Sequence, residues 1–214
     1  MPTSTHNRFH KRLRVVLWSA VAILTLATVG VFVLRDHDTH TVVYSGEADI
    51  RSDFDLVDHT GRLVTEEDYA DRWQLVFFGF TNCPDVCPTT LAYMATVLDL
   101  LDENADHVAP LFITVDPERD TPEVLADYVA NFHPRLVGLT GTPNQATAVA
   151  QSFKVYHAHK ADAEAPDGYT MAHAGHIYLM RPDGRFEAVF LEGDQPPEDL
   201  AEEIELRLEK EGRI

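Results

Sequence analysis

The sequence predicts an α/β domain, a mixed sheet flanked by helices and preceded by one transmembrane helix. Three observations predict it. Apolar strand-like runs alternate with helical patterns from residue 54 onward, an order that builds a sheet covered by helices. Residues 15–34 form a run of 20 residues without a charge, roughly 30 Å long as a helix and so about as thick as a bilayer's hydrocarbon core. The two cysteines of the chain, Cys83 and Cys87, stand where an apolar run hands over to a helical pattern.

Arg8, Lys11, Arg12 and Arg14 precede the uncharged run, so the positive-inside rule puts the N-terminus in the cytoplasm. A cleaved signal peptide is the alternative, but its apolar region is usually about 7–15 residues and ends in a small-x-small site. This run is longer and ends in Val-Phe-Val-Leu-Arg, which favours a retained anchor. The expected layout is a basic cytoplasmic N-terminus over 1–14, a single-pass anchor in the inner membrane over 15–34 and a stalk over 35–50 that carries His37 and His40. Residues 51–214 then form one soluble domain in the periplasm, long enough for a proper core. Residues 36–214 hold 12 basic and 35 acidic residues, a net charge of −23. Nucleic acid is excluded as a partner, because phosphate binding needs a basic face. The excess acid either attracts cations or a basic protein or, the favoured reading, simply solvates the surface.

Within the domain, residues 54–64 alternate around His59-Thr60-Gly61-Arg62, as a hairpin does. Residues 73–80 are continuously apolar, which predicts a strand buried on both faces. From 88 to 101, Leu91, Met94, Ala95, Leu98 and Leu101 recur at helical spacing. A second buried strand covers 108–115. Thr121-Pro122 and Thr142-Pro143 each set a capping hydroxyl before a proline, starting helices that run to about 132 and 153, with a short strand at 136–139 between them. Residues 154–168, rich in His, Ala and charge, read as an insertion or mobile loop. Residues 177–180 and 186–191 flank the turn Arg181-Pro182-Asp183-Gly184-Arg185, and a charged amphipathic helix runs from 197 to about 211. A cysteine motif after the first central strand, with a hairpin and helix at the end, is the thioredoxin-like arrangement.

The cysteine pair lies in or beside a first helical turn, where free backbone amides and the helix dipole stabilise a thiolate. Two sulfurs one turn apart can share a soft metal ion or close on each other as a disulfide. The loop between them is too short for much of a fold staple, so reactive or metal-binding use is expected. Thiolates favour Cu(I), and one imidazole completes a three-coordinate site. Cu(II) fits the same Cys₂His set with a fourth ligand. Asp116 is a candidate neighbour, although bracing the Arg119 loop is the favoured role for it. Zinc asks for four ligands where three are visible. Placement favours His173, just before a strand, over His176 within it. His157 and His159 read as a solvated loop or an accessory cation site. A purely redox reading also stands, since thiol exchange needs one exposed, low-pKa sulfur and a resolving partner. Nothing matches a peroxidatic Thr-x-x-Cys site.

Three motifs resemble the Sco/SenC family. Thr81-Asn82-Cys83-Pro84-Asp85-Val86-Cys87-Pro88 resembles its Cys-Pro-x-x-Cys-Pro motif, and Asp116-Pro117-Glu118-Arg119-Asp120-Thr121-Pro122 its Asp-Pro-x-Arg-Asp-Thr segment. Tyr169-Thr170-Met171-Ala172-His173, with Tyr178 five residues on, resembles the segment that carries its metal-binding histidine. The likeness covers roughly residues 40–210; Ala172 departs from a position that is often acidic in the family. It implies a membrane-anchored, thioredoxin-like protein that binds copper, Cu(I) or Cu(II), through Cys83, Cys87 and His173. Such a protein would deliver copper to the binuclear copper centre of a cytochrome c oxidase subunit during assembly, and would meet other periplasmic copper carriers or thiol reductants. The alternative is a thiol-disulfide oxidoreductase whose catalytic pair, Cys83 and Cys87, reduces an oxidase subunit or another copper carrier.

Overall fold

A computed structural model of the chain describes residues 49–191 and 193–214, together with 14, 17–21 and 23–25 near the N-terminus. The chain divides into two compact units, Met1–Thr41 and Val42–Ile214. Residues 17–21 and 23–25 are helical, with Leu17, Trp18, Ile23 and Leu24 exposed. The predicted N-terminus 1–14, span 15–34 and stalk 35–50 fall largely outside the described residues, and among those described no helix is long and apolar enough to cross a membrane.

The second unit is built on a seven-stranded mixed sheet. At its centre lie β3 (Trp73–Gly79) and β4 (Val108–Thr114), every residue buried, and they pair in parallel. Their continuous apolar runs are what a strand covered on both faces requires. Next to β4, in parallel, lies β5 (Val137–Thr140). The hairpin of β1 (Asp55–Asp58) and β2 (Leu63–Thr65) extends that side. On the other side β8 (His176–Met180) runs antiparallel to β3, and β9 (Phe186–Leu191) antiparallel to β8 with a register break at Leu179/Met180. The core β4-β3-β8-β9 with its helices is the thioredoxin-like arrangement.

Four helices cover the sheet. Helix α1 (Val86–Leu101) buries Leu91, Met94, Leu98 and Leu101 and packs against α4 (Pro197–Lys210), which buries Leu200, Ile204 and Leu208. Helix α2 (Pro122–Val129) lies against β5, and α3 (Pro143–Ser152) precedes the region read as a loop. Both threonine caps form: Thr121 Oγ1 accepts from the Val124 amide, and Thr142 makes a full capping box with Gln145. Each is worth about 1 kcal/mol.

Residues 154–168 depart from the sequence reading. A second, two-stranded sheet pairs β6 (His157–Ala161) with β7 (Tyr169–His173), antiparallel and outside the main sheet. Its turn uses left-handed backbone at Asp167 (φ 61°) and Gly168 (φ +78°). The strand escaped the sequence because His, Ala and Lys carry little strand propensity, and β6 is largely exposed and so shows no alternation. Helix α1 also begins two residues earlier than Pro88. A proline in the first turn removes an amide that has no helical partner there.

Candidate metal centre

Where β3 ends at Gly79, the chain turns through residues 80–85 into α1. The helix has no side-chain N-cap at Asp85. In its place the Cys87 amide donates to Cys83 Sγ at 3.4 Å, so a sulfur occupies the position a capping oxygen otherwise takes. Free amides and the helix dipole both favour negative charge there. Cys87, in the first turn, is wholly buried and Cys83 half-buried; both are free thiols. Room for the Cys87 sulfur comes from Gly79, where an added Cβ would lie 2.7 Å from Cys87 Sγ and 2.7 Å from the Phe112 ring.

His173 arrives from elsewhere in the chain. It ends β7, and two residues, Ala174 and Gly175, separate it from β8. Its Nε2 lies 3.3 Å from Cys87 Sγ, and its Nδ1 3.2 Å from the Ala174 carbonyl. A carbonyl only accepts, so that contact is a hydrogen bond when Nδ1 carries the proton, which leaves the Nε2 lone pair facing the sulfurs. Orienting a ligand imidazole through its second nitrogen is the usual device of metal-binding histidines. The ring stands edge-on to Phe80 (5.6 Å) and Phe77 (6.1 Å). Sγ of Cys83, Sγ of Cys87 and a ring nitrogen of His173 all lie within 4.8 Å of one another. Among the described residues no other group of His, Cys, Asp and Glu converges in this way.

The two sulfurs differ. Hydrogen bonding from Cys87 brings the Cys83 thiol down to about 4 against the opposing effect of burial, with smaller help from the Cys87 and Asp85 backbone amides. The same hydrogen bond, and then burial and the neighbouring Cys83 charge, push Cys87 well above the usual thiol range. Cys83 is the resident thiolate and Cys87 holds the proton. In the reduced chain, iodoacetamide should therefore label Cys83 first, at a rate nearly level over about pH 5–8. A rate climbing through pH 8–9, as for an unperturbed thiol near 8.5, would contradict this assignment.

Other sequence candidates fall elsewhere. Asp116 is buried, paired with Arg119 and bonded to the Tyr169 hydroxyl, so it takes the bracing role and lies outside the three-residue cluster. His176 opens β8, pairs with Leu191 and packs near Tyr178. His157 sits opposite His173 in the β6–β7 ladder, and His159 lies with its ring 4.6 Å from that of Tyr169; neither joins the cluster. Sequence reasoning missed Gly79, Phe77 and Phe80 as parts of the site. The one available signal was a glycine inside an apolar strand, a mark of close approach.

The SCO1/SenC family matches residues 42–209. The chain belongs to the SCO1/SenC family. Relatives include the mitochondrial SCO2 homologue of Danio rerio, 46% identical over 138 residues, which are 64% of this chain and 49% of that one. A SCO2-like protein of Rickettsia felis is 35% identical over 73% of this chain and 76% of its own length. The chain thus spans about half the length of the first relative and three quarters of the second. Among solved structures, Bradyrhizobium japonicum ScoI with copper bound superposes with TM-score 0.68 at 40% identity, covering 73% of this chain and 98% of that one. SCO1/SenC membership and this likeness agree with the thioredoxin-like fold read from element order.

Proposed function

We propose that this SCO1/SenC protein binds one copper ion through Cys83, Cys87 and His173 and delivers it to the binuclear copper centre of a membrane cytochrome c oxidase during assembly. The observation that carries the reading is the convergence of two sulfurs and an imidazole nitrogen within 4.8 Å. Two soft donors and one borderline donor, with no fourth strong ligand in the cluster, suit Cu(I) better than a closed zinc site. The copper-bound Bradyrhizobium relative supports the same cargo. The buried Cys87 and half-buried Cys83 leave one sulfur from which a partner's ligands can take the ion by exchange.

On this reading the domain, 51–214, follows a stalk (35–50) and a membrane anchor (15–34), with 1–14 in the cytoplasm and the copper site on the outer side of the inner membrane. Tethering would hold donor and acceptor in one membrane plane, raising effective concentration without demanding tight binding.

A second reading is favoured by the asymmetry of the sulfurs: a low-pKa, half-exposed Cys83 beside a protonated, buried Cys87. In thiol exchange the Cys83 thiolate attacks a partner disulfide and releases one partner thiolate. Cys87 then loses its proton, closes the Cys83–Cys87 disulfide and frees the second partner sulfur, so two electrons pass to the partner. Copper delivery requires His173, whereas exchange does not. In cells lacking this chain, wild type should restore oxidase copper content, and Cys83→Ser and His173→Ala should not. Full rescue by His173→Ala alongside failure of Cys83→Ser would decide for the oxidoreductase.

A further inference from the structure

The two donor-bearing segments are far apart in sequence and are not bonded in one ladder. The cysteines follow β3 in the main sheet, while His173 ends a ribbon, β6–β7, that pairs with no strand of that sheet. Beyond Ala174 and Gly175 the chain enters β8, whose ladder with β3 holds that side of the segment beside the cysteine loop, while no ladder of the main sheet holds the start of β7. Side chains hold that start, and those of one turn, residues 116–121 after β4, reach both segments.

Toward the ribbon, Arg119 lies over the Tyr169 ring, Cζ 3.9 Å from its centroid, and its Nη1 donates to the Tyr169 carbonyl at 3.2 Å. The Tyr169 hydroxyl donates to Asp116 Oδ1 at 3.1 Å. Asp116, 1% exposed, takes the Arg119 Nε–H on its other oxygen at 2.5 Å. Tyr169 is thus held at ring, hydroxyl and carbonyl, and it is the first residue of the strand whose last residue is His173. Toward the cysteines, buried Asp120 accepts from the Thr81 amide at 3.1 Å and from the Thr81 hydroxyl at 2.5 Å. Thr81 opens the loop that leads to Cys83. Arg119 also lies 5.9 Å from the centroid of Phe80, against which His173 packs.

We infer that Arg119, clamped on Tyr169 and backed by Asp116, is the positioning residue that sets the ribbon so that His173 meets the dithiol. Four residues of extended strand, about 13 Å, separate the clamp from the imidazole, so Arg119 acts on the metal through the placing of His173. A planar guanidinium that stacks and bonds at once is not replaced by an ammonium. The inference rests on copper binding by Cys83, Cys87 and His173.

A double-mutant cycle on the full chain, reduced and detergent-solubilised, tests it, with Cu(I) partitioned against bicinchoninate as the probe. Arg119→Met should weaken Cu(I) binding about tenfold, as outer partners of metal ligands commonly do, and Arg119→Lys nearly as much. In the His173→Ala background the same substitution should change affinity less than about twofold, because the residue through which it acts is gone. In the metal-free protein, the His173 ring resonances should move on Arg119→Met. Equal losses in both backgrounds, or no loss in either, would overturn the clamp. Unchanged binding by His173→Ala alone would instead overturn the copper site itself. Should Arg119→Met fail to fold, Tyr169→Phe, which removes one hydroxyl and keeps the stack, decides by the same cycle with a loss of about threefold in the His173 background only.

Discussion

Cys87→Ser is expected to lower the Cu(I) affinity of the reduced chain by more than about 100-fold, beyond the 10–100-fold that loss of an outer partner brings. The hydroxyl that replaces the sulfur is hard and remains protonated, so a soft ion loses one of its two strong bonds. His173→Ala should cost less than either sulfur but more than Arg119→Met. The wild-type pH dependence has a definite sign. Cys83 is already a thiolate above about 4, whereas Cys87 is held protonated. Binding must displace the Cys87 proton, so affinity should rise about tenfold per pH unit between about pH 5 and 8 and be lost as pH falls. Competition titration across that range checks both statements. Level affinity, or equal binding by wild type, Cys87→Ser and His173→Ala, would remove these residues from the coordination sphere.

The second large effect is on folding. Gly79→Ala drives a methyl to within 2.7 Å of both Cys87 Sγ and the Phe112 ring, and 3.2 Å of the Phe77 ring. All three neighbours are fully buried, so none can swing away into solvent. Overpacking of this kind costs typically 1–3 kcal/mol, occasionally more, and two hard contacts place this site at the upper end. A loss of about 3 kcal/mol corresponds to a melting point roughly 6–12 °C lower in a domain of this size. Copper affinity should fall with it, because the sulfur that must move is one of the proposed ligands. Calorimetry and a copper titration of one preparation measure both; a wild-type melting point would mean that the strand and helix relax apart freely.

Much of this was legible from residues alone, for reasons that can be named. Strands β3 and β4 announce themselves because strands buried on both faces must be apolar throughout, as residues 73–79 and 108–114 are. Helices α2 and α3 announce their starts because Thr-Pro supplies a cap and a pre-set φ together. The cysteine pair is readable because its spacing is local. The ribbon was hidden, since β6 is short, polar and exposed, and only its pairing with β7 makes it a strand. For the same reason the Arg119–Tyr169 clamp could not be seen: its partners are 50 residues apart, and no local pattern encodes that meeting. His173 lay between these cases, with its place before a strand visible and its distance to Cys87 not.

The flanks of the main sheet carry a last implication. On one side it ends in β2, three residues long, and on the other in β9, whose register with β8 is broken at Leu179/Met180. Neither margin offers a long, flat row of free amides to a neighbouring molecule, which is how strand-built proteins resist stacking edge against edge. Copies of the domain brought close together thus find little strand edge on which to add to one another's sheet.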